Sequence, residues 1–165
     1  MEKKSYKLFR FNTNKITNIE IPEYHYEDED YYLFVKKNSD NGRIQVIVSS
    51  DLMIHLLKYY FYDRCGTILS INLVEEDDDF HLAINEALEL IKDNRDAFSL
   101  LLDRLYFLRN ENSIDIQDFL VRIPSEPEPI FVTIQSNGVI HIEANSSSNE
   151  ANNLKEIVRV FYENI

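Results

Sequence analysis

The sequence predicts an α+β fold in one domain, with a mainly antiparallel sheet and two central helices packed on it. Three observations support this prediction. The chain has 165 residues, the length of a single domain, and hydrophobic residues make up 44% of it, which is ample for a core. Short runs of alternating apolar residues are typical of strands, and longer stretches repeat at helical spacing. Asn41-Gly42 and Asn137-Gly138 each separate two β-rich runs, as in tight hairpins.

The first half of the chain is predicted to form two strands, then a hairpin, then a helix. The hairpin is expected over Asn41-Gly42, because glycine adopts the positive φ that tight turns require. Ser50 or Asp51 is expected to cap the helix, and Gly66 to close it in the left-handed conformation. The expected elements are strands at 5–11, 16–21, 31–37 and 43–49 and a helix at 51–64.

The helix at 51–64 is apolar on almost every side. Its polar residues Asp51, His55 and Lys58 form one narrow stripe. A helix with so little polar surface is either central in the fold or pressed against another subunit. Asp51 and His55 could form an acid–base dyad, but no nucleophile can be named beside them, so a solvated stripe is the favoured interpretation.

The second half of the chain is predicted to add a strand, two helices, another strand, a proline-rich connector, a hairpin and a last helix. The two helices are expected to break near Asp93-Asn94, and Ser147 with Glu150 has the spacing of a capping box. The expected elements are strands at 67–74 and 119–123, helices at 80–91 and 98–108, a connector at 124–129, a hairpin at 130–144 and a helix from 147.

Two segments of the chain resemble each other. Residues 31–64 and 130–164 both read as a hairpin followed by an amphipathic helix, and short matches such as Leu33-Phe34-Val35 with Ile130-Phe131-Val132 support the comparison. An internal ββα duplication is therefore one interpretation. The other is coincidence, since Asn-Gly hairpins before helices are common.

Composition excludes several classes of function. The formal net charge of −12 repels nucleic acid and anionic membranes, and it attracts basic protein surfaces. Only three glycines occur and none are clustered, so the phosphate-binding loops of Rossmann and P-loop proteins are absent. No apolar run is long enough to span a membrane. The single cysteine, Cys65, and the lack of a signal-peptide pattern lead us to expect a cytoplasmic protein.

Acidic residues are concentrated in two blocks, and these carry the functional prediction. Carboxylates provide long-range steering toward Lys and Arg, while tyrosines provide rigid contact area and cation–π faces for the same cations. We therefore expect a partner-binding surface, although a solvated loop is the competing interpretation. The expected binding residues are Tyr24, Tyr26, Glu27, Asp28, Glu29, Asp30, Tyr31 and Tyr32 in the first block and Glu75, Glu76 and Asp77 in the second.

A metal site is the alternative use of these acids. Asp77, Asp79 and His81 include oxygen and imidazole ligands, but no glycine follows the aspartates as in an EF-hand loop. Acids before a helix are better explained by capping, with Asp78 or Asp79 at the N-terminus. We assign no catalytic residue, metal ligand or cofactor.

The sequence therefore predicts a non-enzymatic module that binds a basic protein surface. An inhibitor or immunity-type protein that covers a nucleic-acid-handling enzyme fits, because a carboxylate-rich face can imitate the spacing of phosphates. The abundance of Asn and Ile also hints at a phage or mobile element. The alternatives are a homodimeric chaperone or scaffold joined through helix 51–64, and a metal-dependent hydrolase.

Overall fold

The computed structural model describes residues 1–13, 16–75 and 77–165, in which antiparallel strands and helices form an α+β fold. The strands are β1 (Glu2–Lys7), β2 (Phe9–Thr13), β3 (Ile16–Glu20), β4 (Ile44–Gln45), β5 (Thr67–Leu73), β6 (Ile116–Ile123), β7 (Ile130–Gln135) and β8 (Val139–Ala144). The helices are α1 (Tyr31–Asp40), α2 (Ser50–Lys58), α3 (Asp78–Asp93), α4 (Phe98–Asn112) and α5 (Ser147–Glu163). A π-helical turn, Tyr59–Asp63, extends α2, and a 3₁₀ turn, Arg95–Ala97, precedes α4.

The main sheet has five strands in the order β1-β8-β7-β6-β5, and every neighbouring pair is antiparallel. Its register brings Tyr6 opposite Ile140 and Val121 opposite Val132. Side chains alternate between the two faces of a strand, so apolar residues at every second position build one buried face. A small sheet in the order β3-β2-β4 follows directly, because only Leu8 separates β1 from β2.

Helix α2 lies at the centre of the core. Leu52, Met53, Leu56 and Leu57 are all fully buried. Of the two positions expected for this helix, the central one is therefore confirmed. The rest of the single chain already covers these side chains, so their burial gives no support to a dimer through 51–64, which stays an untested prediction.

The expected first hairpin is wrong, because residues 31–40 form helix α1. The β-rich composition of Tyr31–Lys37 is overridden by the Asp30 side chain, which accepts a hydrogen bond from the Leu33 amide at 3.1 Å and starts the helix. Phe34 and Asn38, four residues apart, are the buried side of this helix. Gly42 does have a positive φ of 85°, but it serves the exit from the helix.

The predicted strand at 43–49 is reduced to the two residues of β4. Residues 31–64 thus run helix, strand, helix, whereas residues 130–164 run strand, strand, helix. The expected pair of hairpin–helix units is wrong for its first member, and the ββα similarity does not extend to the structure of 31–64.

The second hairpin and the helix break are confirmed. Strands β7 and β8 pair over Asn137-Gly138, with Gly138 at a φ of 84°. A Cβ at Gly138 would lie 2.5 Å from the Val46 carbonyl oxygen, so both backbone conformation and space require glycine. Helix α3 ends at Asp93, and the Asn94 side chain caps the following 3₁₀ turn.

Several expected helix caps are displaced. The left-handed residue after α2 is Cys65, with a φ of 53°, and not Gly66. Gly66 is required for close packing, since a Cβ there would lie 2.8 Å from both the Tyr60 carbonyl oxygen and a Val121 methyl group. The Ser49 side chain, one residue before the expected cap, accepts the amide hydrogen bond at the start of α2.

The expected capping box of α5 does not form. The Ser147 hydroxyl is hydrogen-bonded to the Tyr6 hydroxyl at 2.9 Å, and Glu150 is paired with Arg64. Both side chains are buried, and the hydroxyl and carboxylate that a capping box would use are bonded instead to residues distant in the sequence.

Candidate protein-interaction surface

The first acidic block lies beside the outer edge of β1. The backbone amide of Tyr24 donates a hydrogen bond to the Ser5 carbonyl at 2.8 Å, and the backbone amide of Lys7 donates one to the Pro22 carbonyl at 3.1 Å. These bonds make residues 22–24 a short addition to the main sheet. The chain then turns, with the amides of Asp28 and Glu29 both bonded to the His25 carbonyl, and enters α1.

We call residues 26–30 the acidic turn. Glu27, Asp28 and Asp30 are exposed, and Glu29 is half-buried. Because the turn stands at the N-terminus of α1, its carboxylates are stabilised by the positive end of the helix dipole. Asp30 therefore has a structural role as the helix cap as well as any role in binding.

The four tyrosines around the turn divide into two kinds. Tyr24 is buried, and its ring lies 4.8 Å from that of Phe34 in a small cluster with Phe9. Tyr31 packs edge-on against Tyr24 at 5.8 Å. By contrast, Tyr26 is 50% exposed and Tyr32 73% exposed. Two of the tyrosines thus anchor the turn and two are available for contact.

A fully buried lysine, Lys7, lies beneath this segment, and its burial is not evident from the sequence. The Lys7 ammonium group donates a hydrogen bond to the Asn137 carbonyl and faces the rings of Phe9 and Tyr31 at 5.7 and 5.4 Å. Burial lowers the pKa of Lys7 to about 8, because the charged form loses its solvation. The alternation of side chains along β1 indicates which face of the strand Lys7 occupies. A lysine in such a pattern is normally solvated, so the burial of Lys7 would not be predicted.

A histidine on β8 is a second residue that sequence reasoning missed. His141 Nδ1 is 2.6 Å from the Ser5 hydroxyl, and its ring packs edge-on against Tyr26 at 5.9 Å. Burial, followed by the nearby charge of Lys3, lowers the pKa of His141. Ser5 is buried, so this pair resembles a structural contact rather than an accessible nucleophile and base.

A shallow pocket of about 160 Å³ lies between the start of β1 and the acidic turn. Lys3 and Lys4 line one side of it, and Glu23, Glu27 and Asp28 line the other. Lys4 is 4.0 Å from Glu23, which partly neutralises that carboxylate. The mixed charge makes the pocket poorly suited to a small anion or cation.

The second acidic block lies at the opposite edge of the main sheet, directly after β5. Glu75 and Asp77 are exposed, and Asp77 caps α3 by accepting hydrogen bonds from the amides of Asp79 and Phe80. Glu76 lies outside the described residues. Four strand spacings of about 4.8 Å, roughly 19 Å, separate β1 from β5, and the two blocks lie at these opposite edges of the sheet. The structure does not bring them together.

The predicted polar stripe of α2 is only partly solvated. Asp51 pairs with Arg109 at 2.8 Å, and Lys58 donates to the Tyr106 hydroxyl at 3.0 Å. The His55 ring lies 5.4 Å from the ring of Phe161. Within the ranges 1–13, 16–75 and 77–165, no group of three or more His, Cys, Asp or Glu side chains could hold a metal ion.

None of the helices among the described residues has both the length and the apolar character needed to cross a membrane. Comparison of the chain with protein-family models, with curated proteins and with solved structures finds no match in any of the three.

Proposed function

We propose that this chain is a non-enzymatic binding module that occupies a basic surface on another protein. The contact surface comprises the exposed part of the acidic turn and the two exposed tyrosines, Tyr26 and Tyr32. In its finer form the proposal is that the partner handles nucleic acid, and that the module acts as an inhibitor or immunity-type protein by occupying the phosphate-binding surface.

The proposal rests on one observation: exposed aromatic and acidic side chains are grouped on a segment that is anchored to the core. Tyr26 and Tyr32 flank the carboxylates of Glu27, Asp28 and Asp30, and all five are exposed. Beneath them, Tyr24 is held in the Phe9 and Phe34 cluster. A surface that is already ordered loses less conformational entropy on binding, and exposed tyrosines are among the side chains that contribute most to interfaces.

The electrostatic field near the acidic turn favours a basic partner. The α1 helix dipole and the net charge of the chain contribute to this field with opposite signs. The helix dipole of α1 places partial positive charge next to the acidic turn and weakens its local field. The chain as a whole nevertheless has a formal net charge of −12. Long-range attraction of a basic protein therefore comes from the total charge, while the turn supplies the short-range pairs with Lys and Arg.

The test is affinity capture from the native host with the wild-type chain and two charge-matched variants. Glu27→Gln/Asp28→Asn removes two carboxylates from the acidic turn. Glu126→Gln/Glu128→Gln removes two exposed carboxylates from the loop between β6 and β7 and leaves the turn intact. We expect the first variant to lose the partner and the control to retain it, with the partner having a basic surface that also binds DNA or RNA.

Two outcomes would contradict the proposal. Equal capture by both variants would place the contact elsewhere. Capture of an acidic partner, or binding that does not weaken as salt rises, would leave the acidity without a role in recognition. If the partner is basic but its nucleic-acid binding is unaffected by this chain, only the finer proposal fails.

A further inference from the structure

The helical hairpin of α3 and α4 has an apolar groove on its outer side. Leu82 and Leu90 on α3 are 57% and 51% exposed, and Phe107 on α4 is 57% exposed. Leu100 adds a fourth exposed apolar side chain. Single exposed apolar side chains are ordinary, but four on two neighbouring helices indicate a candidate interaction site.

Leu82 and Leu90 line this groove, and helix geometry places Leu100 and Phe107 on the stripe of α4 that carries Arg104, which also lines it. Arg104 of α4 donates a hydrogen bond to the Ala83 carbonyl of α3, which joins the two helices at that point. Leu100 and Phe107 are four residues before and three after Arg104, so they follow the same stripe of α4. Leu90 is seven residues after Ala83 and follows the facing stripe of α3.

The groove has a volume of about 590 Å³ and an acidic rim. Leu82, Leu90 and Arg104 line it together with the exposed acids Glu86, Glu89 and Asp93. Arg104 is directed at the Ala83 carbonyl, and Lys92 is paired with Glu89 at 2.7 Å. Glu86 and Asp93 have no ion pair among the described residues and remain open to a cation from outside.

We infer that this groove binds an amphipathic helix with a basic polar face, supplied by a partner protein. Leu82 and Leu90 are eight residues apart, about 12 Å along the helix axis. That length corresponds to two turns, the spacing of anchors at positions i, i+3 or i+4 and i+7 in helices that dock into grooves. The carboxylates on the rim would pair with Lys or Arg beside those anchors.

A second copy of this chain fits the groove less well. A twofold dimer through this face would bring each acidic rim against itself, because both partners of such an interface present the same residues. Like charges facing each other across an interface oppose association. Charge complementarity therefore favours a cationic helix from a different protein.

The groove is independent of the acidic turn. The turn lies beside β1, whereas α3 follows β5 at the other edge of the main sheet. The two surfaces share no residue, so one can fail without the other.

The test uses an 18-residue helical peptide with Leu at the groove-facing positions and Lys elsewhere. Its affinity is measured by fluorescence anisotropy, and its site by amide chemical shifts of the labelled protein. We expect the shifts to map to α3 and α4 and the affinity to fall at least tenfold in Leu90→Ser/Phe107→Ser. Leu33→Ser, an equally exposed leucine on α1, is the control and should bind as the wild type does.

A second variant, Glu86→Gln/Asp93→Asn, keeps the apolar side chains and removes two rim charges. It should weaken binding severalfold and reduce the salt dependence, and it keeps the test decisive if the first variant does not fold. A peptide with Glu in place of Lys should not bind. The acidic-turn variant Glu27→Gln/Asp28→Asn should bind the peptide normally, which separates this inference from the proposed function.

The inference is overturned if the shifts map to the acidic turn or spread evenly over the surface, or if both groove variants bind the peptide like the wild type. It is also overturned if the native chain is a dimer that Leu90→Ser/Phe107→Ser converts to folded monomers, because a second copy would then occupy the groove.

Discussion

Arg64 and Glu150 form a bidentate ion pair that connects the end of the π-helical turn to α5. The Arg64 Nη1–Glu150 Oε2 distance is 2.9 Å and the Nη2–Oε1 distance is 2.5 Å. The Glu150 side chain is only 6% exposed. The hydrogen bonds that Arg64 donates to Glu150 raise the pKa of Arg64 above its ordinary value, so the guanidinium stays charged.

Removing one member of this pair should destabilise the fold strongly. Arg64→Met leaves the Glu150 carboxylate buried without its partner, which lowers the free energy of unfolding by about 3 kcal/mol. The double variant Arg64→Met/Glu150→Leu should lose less than the sum of the single changes, because no orphan charge remains. Urea unfolding of Arg64→Met, Glu150→Leu and the double variant measures these differences.

The control is Arg159→Met on the exposed side of α5, where Arg159 pairs with Glu156 and Glu163. Its stability should be close to that of the wild type, since exposed pairs contribute little. A small effect of Arg64→Met, similar to that of Arg159→Met, would contradict the assignment of Arg64 as a structural contact.

The buried Lys7 should make stability depend on alkaline pH. Its pKa is lowered from 10.5 to about 8, so between these values the unfolded chain binds more protons than the folded one. The free energy of unfolding therefore rises as the pH increases from 8 to 10.5. Below pH 8 the fold bears the full cost of burying the charged Lys7 side chain. A tenfold change in proton affinity corresponds to about 1.4 kcal/mol, so the penalty at neutral pH is about 3 kcal/mol.

Lys7→Met should remove this pH dependence. We expect the stability difference between Lys7→Met and the wild type to be constant below pH 8 and to change steadily from pH 8 to 9.5, as measured by urea unfolding. Burial raises the pKa of Tyr24 and Tyr31 near Lys7. The wild type and Lys7→Met share this effect, so the difference between their free energies of unfolding reports on the lysine. The exposed Lys36→Met should give a flat difference across the range.

Two glycines with the same backbone conformation should respond differently to alanine. Gly138 and Gly42 have φ of 84° and 85°. Gly42→Ala meets only the Phe11 ring, 3.4 Å away, so the conformation alone should cost about 1 kcal/mol. Gly138→Ala also clashes with the Val46 carbonyl oxygen, and we expect a loss at least about 2 kcal/mol larger in thermal unfolding.

Equal losses in the two glycine variants would contradict the tight approach of residues 46 and 138. A larger loss at Gly42 would do so more strongly, because a Cβ there would meet only the Phe11 ring, at 3.4 Å, and no backbone atom.

The tyrosines near the acidic turn should separate stability from binding. Tyr24→Ala opens a cavity beside Phe9 and Phe34 and should lower the free energy of unfolding by about 3 kcal/mol. Tyr32→Ala should leave stability within about 0.5 kcal/mol of the wild type, because the ring is 73% exposed. Urea unfolding of the purified variants measures both.

With the captured partner, Tyr32→Ala should mainly speed dissociation, since aromatic anchors act after docking. Surface plasmon resonance distinguishes this from the slower association expected for Glu27→Gln/Asp28→Asn. Unchanged dissociation for both Tyr32→Ala and Tyr26→Ala would remove the tyrosines from the proposed contact.

The elements with a strong apolar period could be predicted from the sequence. The helices at 80–91 and 98–108, their break near Asp93, the hairpin over Gly138 and the central position of helix 51–64 agree with the structure. In each case the local pattern and the burial agree, because the side chains that repeat at the period of the element are also those that pack in the core.

Tertiary structure alone decided what residues 31–40 became. Their tyrosines, leucine, phenylalanine and valine favour a strand locally, but the chain buries only Phe34 and Asn38, which share one helical face. The same competition moved Ser147 and Glu150 from a local cap to Tyr6 and Arg64. Local propensities differ by about 1 kcal/mol, which is less than the cost of losing the contacts of a large buried apolar side chain or of leaving a buried charged group without its partner.

The candidate surface shows the same division. The acidic charge and its concentration near tyrosines can be read from the sequence, because composition and spacing do not depend on folding. The burial of Tyr24, the exposure of Tyr32, the position of Lys7 near Tyr31 and the location of the two acidic blocks at opposite edges of the sheet all follow from the fold. Exposure and proximity depend on which strands become neighbours, and contacts between residues such as Lys7 and Asn137, 130 positions apart, leave no trace in a local pattern.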